Sequence, residues 1–398
     1  MTMPAPSFAR RAVLVIENTT RHLAVPLASF IVSYIVISAT SPELWGRFAI
    51  NLIVVNLTVH LLAWGNKEYL LRSMSTDAGS AAALWQSSLL TRSLALLPAI
   101  AALSVFGLAR PLLPWIALWT AAAFLTQSFD PVILYLHRFR LAIVAEAFGL
   151  ATTLALVASR ITELDEIGLV MSWVAGVVVK TAVLAVGLSP TLGRAWHGRV
   201  EPDHVTKTLP FVLLALSGLL HSKVDLYAMA LLAEPDDVGR YQVTAGLYIA
   251  LQATAAFLLM PFVRELYERS DTTSHRTARR MTVVGVGVAA LGGPVSWIVL
   301  NEIYGFELGW PVFVIGAALV LPSYRIAPRI YLLYKHGRER TVALFNLAGA
   351  GVNLALAVAL IPRYSIAGAL GAAAASLWFL LIVLEALVRR NNRADPLS

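Results

Sequence analysis

The sequence predicts an all-α, polytopic membrane protein of about twelve transmembrane helices, arranged as two parallel-repeat lobes of six helices each. Three observations carry this. First, 58% of the 398 residues are hydrophobic and only 14% are charged, where an ordinary soluble domain carries about 25% charged residues. A mean hydropathy of +0.72, spread along the chain with no long polar block, excludes a soluble domain hung on one anchor helix. Second, the basic residues are sorted strongly to one side of the spans. Third, a seven-residue pattern recurs half a chain apart.

A helix needs about 20 apolar residues to cross roughly 30 Å of hydrocarbon, which sets a ceiling near twelve spans. Apolar runs between charged or Pro/Gly-rich breaks place them at 16–39, 44–64, 81–106, 112–136, 141–159, 167–189, 208–232, 240–262, 281–301, 308–333, 341–361 and 365–387. The start of the chain ends in Arg10 and Arg11 like the basic region of a signal peptide. The apolar run that follows is too long for a cleavable core and carries Glu17 and Arg21, so it reads as a retained first span.

An even number of spans puts both termini on one side of the membrane. Of the 31 Lys and Arg residues, 20 then fall on the side of the termini, five fall opposite and six fall inside spans. Basic loops stay in the cytoplasm, so both termini are expected there. The formal charge of +8 is thereby topological, and no nucleic acid partner is implied. With no cysteine in the chain, disulfides, thiolate metal sites and cysteine nucleophiles are excluded.

Pro42-Glu43-Leu44-Trp45-Gly46-Arg47-Phe48 opens the second span and Pro235-Asp236-Asp237-Val238-Gly239-Arg240-Tyr241 opens the eighth. Each copy follows the first span of a six-span block, which is the placement an internal duplication produces. The pattern reads as a turn set by Pro, a Gly at the helix mouth and an aromatic at the membrane interface; the alternative is that outer loops in general favour such residues. Blocks with an even number of spans share one orientation, as in transporters built of parallel repeats, which bind substrate between the halves. The expected organisation is an N-terminal lobe (1–189), a cytoplasmic linker (190–207) and a C-terminal lobe (208–398).

Charged side chains inside the membrane are costly and are usually kept for function. The bases are Arg21, Arg92, Lys180, Lys223, Arg325 and Arg329; the central acids are Glu17, Asp130, Glu146 and Asp225, with Glu385 near a helix end. Arg325 and Arg329 stand at i,i+4 and share a helix face, so together they suit one anionic group; the alternative is that both snorkel to the interface beside Lys335. Pro322 and Pro328 are expected to interrupt that helix. Lys180 sits mid-span, with an ion pair to another helix as its structural alternative. His221, Lys223 and Asp225 place three polar groups in five residues of the seventh span, as a cavity-lining element or an interlobe lock. Glu17 and Arg21, again at i,i+4, can pair with each other; Arg92, and Asp130 before Pro131, are read as cavity residues or structural pairs. Bases outnumber acids, which favours an anionic substrate head group, because Arg suits bidentate phosphate contacts and Lys point-charge attraction.

Gly285-Val286-Gly287-Val288-Ala289-Ala290 formally fits a dinucleotide fingerprint, but no strand precedes it and helix packing by small residues explains it. The eight histidines show no ligand spacing, so no metal site and no cofactor is expected.

The layout resembles the polysaccharide transporters that flip lipid-linked oligosaccharides (O-antigen type), within the multidrug/oligosaccharidyl-lipid/polysaccharide exporter superfamily. The resemblance rests on Gly46-Arg47-Phe48, on Gly65-Asn66-Lys67-Glu68-Tyr69-Leu70-Leu71-Arg72, on Val238-Gly239-Arg240-Tyr241 after Asp225, and on Pro362 to Ala375. It covers the whole chain in topology, through short motifs. It implies a MATE-like pair of six-helix lobes that alternate access and carry an undecaprenyl-diphosphate-linked glycan to the outer leaflet, with a polysaccharide polymerase as a further partner. Peptidoglycan-precursor flippases carry two further helices, which points away from that branch. On this reading Arg21, Arg92, Lys180, Lys223, Arg325 and Arg329 hold the diphosphate and acidic sugars, and Glu17, Asp130 or Asp225 accepts a coupling proton or sodium ion. A cation-coupled multidrug exporter of the same architecture is the first rival, and a membrane glycosyltransferase or polymerase the second. The outer loops are too short for the acidic catalytic residues such an enzyme needs, so no enzymatic activity is expected.

Overall fold

The computed structural model describes residues 8–76, 80–103, 110–193, 196–259 and 271–394. Among them, helices account for every long element: α1 Phe8–Ala39, α2 Pro42–Ala63, α3 Asn66–Thr76, α4 Ala81–Ser93, α5 Leu96–Leu103, α6 Leu113–Tyr135, α7 Phe139–Ser159, α8 Glu166–Leu192, α9 His204–Leu232, α10 Pro235–Leu259, α11 Asp271–Trp297, α12 Trp310–Lys335 and α13 Glu339–Ala394. Nine helical stretches of the described residues are long and apolar enough to cross a membrane, so the chain is a multi-pass membrane protein.

The last stretch, Arg340–Leu387, is 48 residues long and contains two spans. Ser365 breaks it with φ 43° and ψ −120°. The chain reverses there: a Cβ on Gly368 would stand 2.5 Å from the Leu360 carbonyl oxygen, and Ser376 Oγ donates to the Gly349 carbonyl at 2.7 Å. Both contacts pair residues on opposite sides of the break, the more distant pair further along each arm, as an antiparallel helix hairpin requires. The expected first and seventh spans fall on α1, whose apolar stretch is Pro26–Ala39, and on α9.

Several helix ends follow directly from the sequence. Ser41 caps α2, accepting from the Leu44 N–H at 3.2 Å ahead of Pro42 in the first turn, and Asp165 Oδ1 caps α8 by accepting from the Gly168 N–H at 2.7 Å, each satisfying a donor the helix itself leaves unpaired. The recurring heptapeptide has the same local geometry in both copies. Each begins its helix with Pro, and each pairs its acid with the Arg one turn on: Glu43 with Arg47 at 2.6 Å and Asp236 with Arg240 at 2.7 Å. The aromatic placement differs from expectation. Phe48 and Tyr241 are fully buried rather than interfacial, because Phe48 packs among Trp45, Trp119 and Trp173 and the Tyr241 hydroxyl donates to Asp225.

The proline expectations are partly corrected. The third span is broken into α4 and α5 at Leu94–Ala95, where Pro98 lacks the N–H and crowds the carbonyl of residue 94. Conversely α12 runs unbroken through Pro322 and Pro328. Pro322 leaves the Ala318 carbonyl without its helical donor, and the Trp378 indole N–H fills that vacancy at 3.0 Å.

The chain divides into two compact units, 1–216 and 217–398, with the division falling inside α9. The segment expected to be the cytoplasmic linker, 190–207, is hydrogen-bonded to α4 of the first unit. Its alternate backbone N–H groups, those of His197, Arg199 and Glu201, donate to Gln86 Oε1, Ser87 Oγ and Thr91 Oγ1 of α4 at 2.7, 3.0 and 3.0 Å. Residues 194–195, which include the expected linker base Arg194, lie outside the described residues.

The Gly65-Asn66 motif explains how the start of α9 reaches the first unit. Gly65 has φ 64°, and a Cβ there would lie 2.7 Å from the Phe211 backbone. Gly65→Ala is therefore expected to cost about 1–3 kcal/mol through strain and overpacking, read as a lowered melting temperature of the purified protein in detergent; an unchanged melting temperature would contradict the close approach.

Candidate functional site

In the first unit Lys180, Arg92 and Glu17 close on protein partners. Lys180 on α8 forms an ion pair with Glu146 on α7, so the structural alternative raised for Lys180 is the arrangement found. The two helices meet closely: a Cβ on Gly176 would lie 2.6 Å from the Gly149 carbonyl oxygen, which holds the Lys and Glu backbones at a fixed separation. Removing one partner of a shielded ion pair leaves the other uncompensated, at about 3–5 kcal/mol for a fully buried pair. With side chains 23% and 18% exposed, the cost here is smaller. Lys180→Ala is expected to lower thermal stability, and Lys180→Ala with Glu146→Ala to recover part of it; a double variant less stable than the single one would contradict the pairing.

Arg92, at the end of α4, is 6% exposed. Its guanidinium donates to Ser88 Oγ at 3.3 Å, Ser128 Oγ at 3.1 Å and the Leu62 carbonyl at 3.4 Å, and lies 5.1 Å from the Phe124 ring centroid. Leu62 belongs to the last turn of α2, whose carbonyls have no intrahelical donor and carry the negative end of the helix dipole. Arg92 thus ties the broken third span to α2 and α6. Ser88 in turn donates to the buried Asn66, so the Gly65-Asn66 motif belongs to the same network.

Glu17 pairs with Arg140 at 2.6 Å. Arg21 lies in α1, but its side chain is outside the described residues. Asp130 lies on α6, half-buried, before Pro131, and α6 continues to Tyr135 through that proline.

The second unit holds the arrangement with the most open chemistry. Arg325 and Arg329 on α12 both reach Glu385 on the second half of α13. Arg325 Nε donates to Glu385 Oε1 at 2.9 Å, Arg329 Nε to the same oxygen at 3.0 Å, and Arg329 Nη2 to Oε2 at 3.4 Å. The i,i+4 pair does grip one anion together, and that anion is a carboxylate of the chain itself. The cluster keeps a formal charge of +1. Its two arms differ: the Arg329 side chain is 6% exposed and that of Arg325 38%. Glu385, set apart from the central acids on sequence grounds, is the residue sequence reasoning missed, and its engagement reduces the excess of bases in the spans.

On α9, His221, Lys223 and Asp225 meet different surroundings, as residues two apart on a helix must. Asp225 is 8% exposed and accepts from the buried Tyr241 hydroxyl. His221 lies against Gly349 with its Nδ1 unpartnered. No hydrogen bond or ion pair among the described residues holds Lys223, whose electrostatic partner is Asp225. No group of three or more His, Asp or Glu suited to a metal occurs among the described residues. The Gly285 region is helical, and a Cβ on Gly285 would press on the Tyr324 ring at 2.8 Å, so its packing role accounts for it.

The fold defines a class: an all-helical membrane transporter fold of the MATE and MurJ type. The chain superposes on "Lipid II flippase MurJ, inward closed conformation" with a TM-score of 0.74 and 10% identity, covering 95% of this chain and 87% of that one. It also superposes on "Inward-facing conformation of a multidrug resistance MATE family transporter of the MOP superfamily" at 0.67 and 12% identity, covering 94% of each. A third likeness is to the MATE multidrug transporter DinF-BH, at 0.55 and 14% identity, covering 97% and 96%. These folds belong to transporters and a flippase rather than to enzymes. No protein-family model matches the sequence, and no curated protein matches it.

Proposed function

We propose that this protein is a flippase, carrying a polyprenyl-diphosphate-linked oligosaccharide from the cytoplasmic to the outer leaflet of a bacterial cytoplasmic membrane by alternating access, for assembly of a surface polysaccharide. The observation that carries this reading is the residual positive charge of the Arg325, Arg329 and Glu385 cluster inside a membrane span, with one guanidinium open to an incoming anion. Lys223, free of hydrogen bonds and ion pairs among the described residues, offers a second point charge on the same unit. The likeness to a lipid II flippase supports lipid-linked cargo, and the basic loops support cytoplasmic termini. The delivered glycan would serve a polysaccharide polymerase. Asp225, shielded and held by Tyr241, is the acid best placed to carry a coupling proton or sodium ion.

A second reading, a cation-coupled multidrug exporter, draws on the MATE likeness over 94% of the chain and on the same buried Asp225. The two separate in cells that depend on this chain. Arg325→Ala, at normal protein level, is expected to remove surface glycan and leave drug tolerance unchanged; retained glycan with increased drug sensitivity would decide for the exporter.

A further inference from the structure

The two arms of the Arg325, Arg329 and Glu385 cluster are held unequally. Arg329 uses both Nε and Nη2 on Glu385 and is buried; Arg325 uses Nε alone and is the exposed arm. No further hydrogen bond or ion pair of the Arg325 guanidinium occurs among the described residues, so its two Nη groups, the edge whose geometry matches a phosphate, make none there. Arg325 is the sixteenth residue of α12, about 22 Å along the helix at roughly 1.5 Å per residue. Counted from the outer end, that depth falls in the cytoplasmic half of a hydrocarbon core about 30 Å thick. A lipid diphosphate waiting in the cytoplasmic leaflet approaches the bilayer from this side.

We infer that Glu385 is an internal counter-anion that competes with the substrate's phosphate for Arg325, while Arg329 stays bound to Glu385 and holds it in place. The inference rests on the flippase reading above. In the unloaded state Glu385 neutralises one of the two bases, which lowers the cost of keeping them in the membrane. On loading, Arg325 rotates its fork to the phosphate. On release the carboxylate recaptures it, so the site is prevented from holding its cargo too tightly. Glu385 is a positioning residue here, acting through Arg325.

The experiment measures farnesyl diphosphate binding to the purified full chain in detergent, with inorganic diphosphate as a parallel probe, for wild type, Glu385→Gln, Arg325→Ala and Arg329→Lys. Melting temperature is recorded for each. Glu385→Gln keeps the side-chain shape and removes the competing charge, so it is expected to bind farnesyl diphosphate about tenfold or more tightly than wild type and to release it more slowly. Arg325→Ala is expected to lose binding and Glu385→Gln combined with Arg325→Ala to regain none of it. Tightening for both probes assigns the site to diphosphate alone; tightening for farnesyl diphosphate only assigns it to the lipid-linked form. Glu385→Gln that stays folded yet binds equally or more weakly overturns the inference. If Glu385→Gln does not fold, Arg329→Lys, which loosens the hold on Glu385 and retains its charge, takes its place: it is expected to weaken binding by strengthening the competition at Arg325, and tighter binding overturns the inference. Absence of farnesyl diphosphate binding by every folded form, wild type included, instead removes the flippase reading itself.

Discussion

Arg92→Ala is expected to lower the stability of the protein by about 3–5 kcal/mol, from a cavity in the first unit and from acceptors left unpaired. The Leu62 carbonyl and Ser128 lose their guanidinium donors, and the Phe124 ring loses the cation above it. Arg92→Met separates volume from charge. Exchanging a buried ion for an apolar side chain of similar size is often neutral or stabilising, because the desolvation cost disappears with the charge. Arg92→Met is therefore expected to recover most of the stability that alanine loses, measured as melting temperature in one detergent. Equal losses for the two variants would show that the guanidinium bonds outweigh packing at this position.

Gly316→Ala is the second large effect. A Cβ at Gly316 would stand 1.9 Å from Tyr248 Cζ and 2.4 Å from each Cε of the ring, and Tyr248 is fully buried. A ring so buried has little room to yield, so the added methyl acts as a severe overpacking. Overpacking commonly costs about 1–3 kcal/mol, and this overlap belongs at or above the top of that range. Combining Gly316→Ala with Tyr248→Leu should restore much of the loss, since the shorter side chain vacates the collision. A double variant as unstable as Gly316→Ala alone would locate the damage in the α12 backbone.

The spans, their number and the basic asymmetry were legible because each is a local property of the chain. Apolar length marks a span, loop charge marks a side, and the duplicated heptapeptide marks a helix start with its acid and Arg one turn apart. Charge partners are a tertiary property. Even so, one was accessible: Glu146 and Lys180 lie equidistant from Glu163, at the turn between α7 and α8, so an antiparallel hairpin sets them opposite each other. Glu385 was not accessible in this way, because α12 and the second half of α13 are separated by another span, and Arg325 and its acid stand 60 positions apart. Periodicity says which face of α12 carries Arg325 and Arg329, not which helix that face meets. Likewise Pro322 signals a freed carbonyl, but only the packed structure supplies Trp378 to occupy it. Phe48 and Tyr241 were misplaced for the same reason, since an aromatic at a helix mouth is as suited to the interface as to a core.

On the proposed flippase reading, the chain moves an anionic lipid across the bilayer with Arg325 as a contact to its phosphate. The most direct measurement places the purified protein in liposomes carrying a fluorescent undecaprenyl-diphosphate-linked sugar on both leaflets and follows quenching by a membrane-impermeant reductant. Wild-type protein is expected to make the inner pool accessible under an imposed proton or sodium gradient, and Arg325→Ala to leave that pool protected. An inner pool that stays protected with folded wild-type protein under both gradients, or one equally exposed by Arg325→Ala, would contradict the account.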